Sequence, residues 1–293
     1  MSINRSEVRK SALTLLYAIR ENGDNAAEFN YNLFWTIAQE KKTDHLREAH
    51  AKVVLHTCRN SADSARLLTE RMEQLELAMH GDLTSAILRE EATRFTERNN
   101  AFESALTALS YALTDKRRED TEQLALCTRD TLQLAHALVG MGNDLLPRFA
   151  DFPMYRRVCD PFAAVVRRRI RLMEATDALA EPANLADSKE HSGLARIAAD
   201  LIELRPAAEE LVRNTLAHRE ELETLLASLL DNYSPERLDM VDNCILLLAL
   251  YELRCAALEP AIVISEANML ANAYSGSKSA PFIHGILAAA AKA

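Results

Sequence analysis

Glycine and proline are scarce in this 293-residue chain, at 7 and 8 residues. Turns therefore come seldom, which disfavours an α/β enzyme with its many turn glycines and favours long helices rich in Ala and Leu. Long apolar runs are absent as well. The longest, Ile245 to Tyr251, reaches about a third of the roughly 20 residues that a bilayer span takes. The first residues lack the apolar core of a signal peptide, so a soluble, cytoplasmic protein with no membrane partner is expected. The five cysteines, Cys58, Cys127, Cys159, Cys244 and Cys255, are odd in number, widely spaced and without a CxxC pair. That pattern fits reduced, buried thiols better than a disulfide frame or a zinc site. Positive charge is also in deficit: 34 Lys+Arg stand against 43 Asp+Glu, a net of −9. Non-specific nucleic-acid binding needs a broad positive field, which this composition excludes; a local basic patch stays open.

Catalytic signatures are missing too. The chain has no HExxH, no Glu-x-x-His pair of the di-iron type, no GxGxxG, no GxxxxGK and no GxSxG, so no catalytic residue, cofactor or metal ion is expected. His45, His50 and His56 are spaced i, i+5 and i+11, which gives no shared ligand face.

What the chain does carry is helical periodicity. Asn4 to Arg20 puts Val8, Ala12, Leu15 and Leu16 on one stripe and Arg5 and Arg9 on a polar face. It ends at the turn signal Asn22-Gly23-Asp24. A second helix is expected over Ala26 to Gln39, with Phe29, Leu33, Phe34 and Trp35 on a bulky buried face and the charged stretch Glu40 to Asp44 breaking it. Long helical periods then follow, punctuated at His80-Gly81, Thr114 to Glu119, Gly140 to Gly142, Phe152-Pro153, Asp160-Pro161 and Glu181 to Gly193, the last being the best linker candidate. Leu204 to Leu230 reads as one long amphipathic helix, and Ser234-Pro235-Glu236 as a capped helix start. Asp242 to Arg254 is too apolar for a surface helix and belongs at the centre of a bundle. Pro260 starts a helix to about Ala273, and Pro281 opens the last one. The whole chain reads as all-α.

Two places invite a ligand. Arg167-Arg168-Arg169 with Arg171, and Arg156-Arg157 before them, form the densest basic cluster. Four arginines in five helical positions point in nearly all directions, so they either pair with acidic helices and snorkel, or present a patch to RNA phosphates. The turn Ser275 to Gly285 joins small hydroxyl residues, Lys278, a helix start and Phe282. Either the turn grips a phosphate while Phe282 stacks an unpaired base, or it is ordinary capping with Phe282 in the core.

At these residues the chain resembles a known family. Arg237-Leu-x-x-Val241-Asp242-x-x-Ile245-Leu246, Ala249-Leu250-Tyr251-Glu252-Leu253, Pro260-x-x-Val263-Ile264-Ser265-Glu266-Ala267, Tyr274, and Lys278-Ser279-x-x-Phe282-Ile283-x-Gly285 are similar to the C-terminal half of NusB transcription antitermination factors. Arg5-x-x-Val8-Arg9-x-x-Ala12-Leu13-x-x-Leu16-Tyr17 resembles that family's first helix, and Glu210 to Leu230 its long third helix. The resemblance implies a NusB-like double helical bundle from residues 1–42 and 204–293, with an inserted helical domain of long antiparallel helices over 43–203. It implies a non-enzymatic factor that binds boxA-like single-stranded RNA together with NusE, a small-subunit ribosomal protein, in the RNA polymerase antitermination complex. By position, Arg5, Arg9, Lys10, Lys278, Ser279, Phe282 and His284 would contact RNA, while Tyr17, Asp242 and Glu252 would face the protein partner. His284 stands where the family has Asn and can hydrogen-bond as Asn would. The alternative is a protein-interaction scaffold that keeps the fold and has lost RNA binding.

Overall fold

The computed structural model describes residues 4–115, 121–185, 191–230, 238–276 and 278–292. Every regular element among them is helical, with no strand. The α-helices are α1 (Arg5–Glu21), α2 (Tyr31–Thr57), α3 (Ser61–Ala78), α4 (Ala86–Thr114), α5 (Glu122–Arg148), α6 (Arg156–Asp177), α7 (Ser192–Ala217), α8 (Arg219–Leu229), α9 (Met240–Arg254), α10 (Pro260–Tyr274) and α11 (Ser279–Ala290). No helix among the described residues is long and apolar enough to cross a membrane. The chain divides into two compact units: Met1–Glu40 with Ala199–Ala293, and Lys41–Ala198.

In the first unit α9 is the central rod. Asp242 to Leu250 is buried without interruption, and α9 packs on α1, α8, α10 and α11. The apolar stripe of α1 (Val8, Ala12, Leu15, Leu16, Ile19) meets Ile245, Leu246 and Leu250 in one core, and half-buried Tyr17 packs against it. The Asn4 side chain accepts from the Ser6 amide and starts α1. Gly23 (φ 89°) and Asp24 (φ 62°) turn the chain back in the left-handed region. The Trp35 indole reaches the same core and donates to Glu209 Oε1 at 2.7 Å.

In the second unit α3, α4, α5 and α6 each pack on two of the others in a closed ring, around Phe95, Phe102, Leu138, Phe162 and Val166. Gly142 is where α5 comes close to its neighbours. A Cβ there would sit 2.6 Å from Ile170 Cδ1 and 3.2 Å from a Phe95 ring carbon. Gly142→Val is therefore expected to destabilise the chain by about 1–3 kcal/mol through overpacking, despite a better helix propensity; urea unfolding followed by circular dichroism measures it.

Several boundaries differ from the sequence expectation, each for a physical reason. Helix α2 runs straight through Glu40 to Asp44 because Glu40, Lys41 and Lys42 are exposed and lose nothing by staying helical. Its expected buried face is only partial, since Trp35 is buried but Leu33 is exposed. Gly140 to Gly142 lies inside α5 and Asp160-Pro161 inside α6, where burial of Gly142 on one side and of Cys159 and Phe162 on the other outweighs local breaking. The single helix expected over Leu204 to Leu230 is two. Helix α7 starts at Ser192, and the backbone breaks at His218, whose Nδ1 bonds the Asn214 carbonyl and whose ring sits 5.6 Å from Tyr251. Helix α11 begins at Ser279, two residues before Pro281. Cys58, Cys159 and Cys244 are buried free thiols, whereas Cys255 is exposed and Cys127 half-buried. The capped start at Ser234-Pro235-Glu236, Arg237, Ser277 and part of the Glu181–Gly193 linker lie outside the described residues.

Candidate nucleic-acid interface

The expected RNA-contacting residues sit at the start of α1 and around the α10–α11 turn, all in the first unit. Arg5 and Lys278 are exposed cations with no ion pair among the described residues. Lys10 is half-exposed and bonded to Glu7 Oε1 at 2.8 Å. That hydrogen bond, with the Glu7 charge, raises the Lys10 ammonium above its ordinary pKa; Tyr274 and Glu266 add smaller contributions in the same direction. The hydrogen bond from the Ser6 hydroxyl to Glu266 joins the first turn of α1 to α10. Phe282 is not in the core. The residue is 37% exposed, on a helix whose inner face is carried by Ala280, Ile283, Ile286 and Leu287. His284 is exposed too, and its Nδ1 accepts from the Asn268 side-chain amide at 3.1 Å.

Three of the expected interface residues, Arg9, Asp242 and Glu252, are buried instead. Arg9 is buried, with Nε at 2.9 Å from both oxygens of Glu252 and a terminal nitrogen 3.6 Å from Glu266. Its side chain is 6% exposed and that of Glu252 10%. Neither can meet an outside ligand; the pair ties α1 to α9 and orients Glu266, which also accepts from the Ser6 hydroxyl at 2.8 Å. Asp242 faces inward as well, accepting from the hydroxyls of Ser275 at 2.6 Å and Ser279 at 2.8 Å. The two serine hydroxyls also lie 2.9 Å apart, so the Ser279 hydroxyl is already held between Asp242 and Ser275. This clasp fixes the α10–α11 turn on the first turn of α9, and so sets where Lys278 and Phe282 stand. Tyr17 is half-buried, its hydroxyl donating to Glu21 Oε1 at 3.2 Å.

Sequence reasoning missed Ser275, whose partner lies 33 residues away, and the exposure of Ile262 and Met269 on α10. Those two are seven residues apart and share a helical face, a spacing readable in the sequence. The arginine cluster divides: Arg169 is fully buried, Arg156 pairs with Asp160 at 2.9 Å, and Arg167, Arg168 and Arg171 are exposed. No group of three or more metal-ligating side chains occurs among the described residues. Burial pushes the thiols of Cys159 and Cys244 up to about 11, leaving them protonated and unreactive at neutral pH.

The NusB family model matches residues 163–292, beginning within α6 and taking in α7 to α11 but not α1. A transcription antitermination protein NusB of Halalkalibacterium halodurans is 32% identical over 123 residues, 42% of this chain and 91% of the relative. Namesakes from Methylacidiphilum infernorum (36% over 84 residues) and Acidothermus cellulolyticus (40% over 83 residues) each match 28% of this chain. There the chain spans only 59% and 57% of the relative's length. No solved structure matches the chain. A relative matched along nine-tenths of its length, a family model ending at residue 292 and an all-helical unit built around α9 agree: this chain belongs to the NusB family.

Proposed function

We propose that the chain is a transcription antitermination factor, in which a NusB-like domain formed by 1–42 and 204–293 carries the 43–203 segment as an insertion. On this reading the domain binds boxA-like single-stranded RNA together with NusE, as part of an RNA polymerase antitermination complex. The observation that carries it is the exposed set Arg5, Lys10, Lys278 and Phe282, with His284 beside the last. An exposed aromatic ring four residues from an unpaired lysine, with Arg5 and Lys10 as further cations of the same unit, provides stacking and phosphate neutralisation for an unpaired strand. Tyr17 remains the residue assigned to the protein partner.

Phe282→Ala and Lys278→Ala are each expected to weaken RNA binding by about 1–3 kcal/mol without unfolding the chain. Fluorescence anisotropy with a labelled boxA-like oligonucleotide, with and without NusE, reads this out; equal affinity of both variants and the native chain would refute the site. A second reading, a scaffold without RNA binding, is favoured by one observation. The first unit carries 11 Lys+Arg against 19 Asp+Glu, and Arg9 is neutralised internally. Absence of an RNA complex at low salt, even with NusE present, decides for the scaffold.

A further inference from the structure

The second unit holds a cavity of about 330 Å³ between the end of α2, the start of α3 and the outer face of α6. His56, Thr57, Arg59, Asn60, Ser64 and Arg168 line it, and no carboxylate does. Arg59, Arg168 and His56 are exposed and make no ion pair among the described residues. Asn60 stands at the cap position of α3, yet its side chain makes no capping hydrogen bond. On the floor, the buried Ser64 hydroxyl donates to the Ser61 carbonyl at 2.9 Å and accepts from Arg169 at 3.0 Å. A rigid, hydrogen-bonded floor therefore carries two guanidinium groups, an imidazole and a free amide around one space. Arginines that converge without an acidic partner repel each other and keep their donors unmatched, an arrangement completed by a planar or tetrahedral oxyanion.

The size and the surrounding charge narrow the ligand. Small-molecule sites begin at roughly 300 Å³, so the space takes a phosphoryl group with the sugar that carries it. The unit as a whole has 23 Lys+Arg against 24 Asp+Glu. It offers no extended positive field along which a long polyanion would lie. We infer that this cavity binds a compact phosphomonoester, held by Arg59 and Arg168 with Asn60 and His56 as further hydrogen-bonding groups. Terminal phosphate is the shared chemistry, whether it comes from a free metabolite or from the 5′ end of an RNA.

Isothermal titration of the full chain with inorganic phosphate, with adenosine 5′-monophosphate, and with a short RNA bearing or lacking a 5′-phosphate tests this. Phosphate and the mononucleotide should bind, and Arg59→Ala and Arg168→Ala should each weaken both by about tenfold, the loss of one charge-assisted contact. Arg129→Ala, in a separate groove that also contains Asp177, should change nothing. If the 5′-phosphorylated RNA binds more tightly than the mononucleotide, with a variant-sensitive gain over its unphosphorylated form, the source is an RNA end; if the mononucleotide matches it, the source is a free metabolite. No heat with phosphate or mononucleotide, or binding unaffected in both arginine variants with unchanged circular dichroism, would overturn the inference.

Discussion

Arg9→Ala is expected to lower the stability of the chain by about 3–5 kcal/mol, the loss seen when one member of a buried ion pair is removed. The alanine leaves Glu252, 10% exposed, with no cation against either oxygen, and takes from Glu266 its nearest guanidinium. Two carboxylates then face each other across the space left by the side chain, with the Ser6 hydroxyl still on Glu266 as a partial substitute. Replacing both partners, as Arg9→Met with Glu252→Leu, should recover most of the loss, because two apolar groups of similar volume leave no buried charge on that bond. Urea unfolding of the full chain distinguishes this from a nucleic-acid role. A surface arginine reserved for RNA would cost well under 1 kcal/mol on truncation and would appear in RNA affinity alone. A stability loss of that small size would mean that Arg9 is free to leave Glu252.

The same residue shows how far sequence reasoning reaches. The apolar stripe of α1 and the all-round hydrophobicity of α9 are periodic signals, and they fix both helices and their packing into one core. Arg9 looked polar-faced because it is charged. Yet Leu13 and Leu16, at i+4 and i+7 from it, are both buried, and that spacing places Arg9 on the edge of the buried stripe. The opposing charge, 243 residues away, has no local signature. The Asp242–Ser275–Ser279 clasp is hidden for the same reason: it depends on three helices meeting, and a motif over Ser275 to Gly285 shows only that small hydroxyls cluster there. Charged stretches misled in the other direction. Glu40 to Asp44 reads as a breaker by composition, but exposed Glu and Lys are good helix formers and α2 passes through them. The arginine cluster was separable in principle. Phe162, Val166, Arg169, Met173 and Thr176 follow the i, i+4, i+7, i+11, i+14 pattern of the buried face of α6, which singles out Arg169 from its neighbours.

Arg169→Met is the matching expectation for the second unit, with a loss of about 3 kcal/mol or more. Its guanidinium is fully buried, 2.7 Å from Glu103 Oε1, and donates to the Ser61 carbonyl at 3.0 Å and to the hydroxyls of Ser61 and Ser64 at 2.8 and 3.0 Å. It also stands 5.8 Å from the centre of the Phe102 ring, a further attraction that a thioether lacks. Burial lowers the Arg169 pKa, and Glu103 opposes that effect by holding the charged form in place. Methionine fills much of the volume but leaves Glu103 and two serine hydroxyls without their shared donor. Because the Glu103 side chain keeps 23% exposure, water relieves part of its charge, and the deficit at the serines and in the ring contact makes up the remainder. Hydrogen exchange in α3, α4 and α6 should quicken in this variant, while Arg168→Ala, one residue along and exposed, should leave it within about 0.5 kcal/mol of the native chain. Unchanged protection in Arg169→Met would show that apolar packing alone, through Phe95, Phe102 and Phe162, closes the ring, and that the buried arginine contributes nothing net to the fold of that unit.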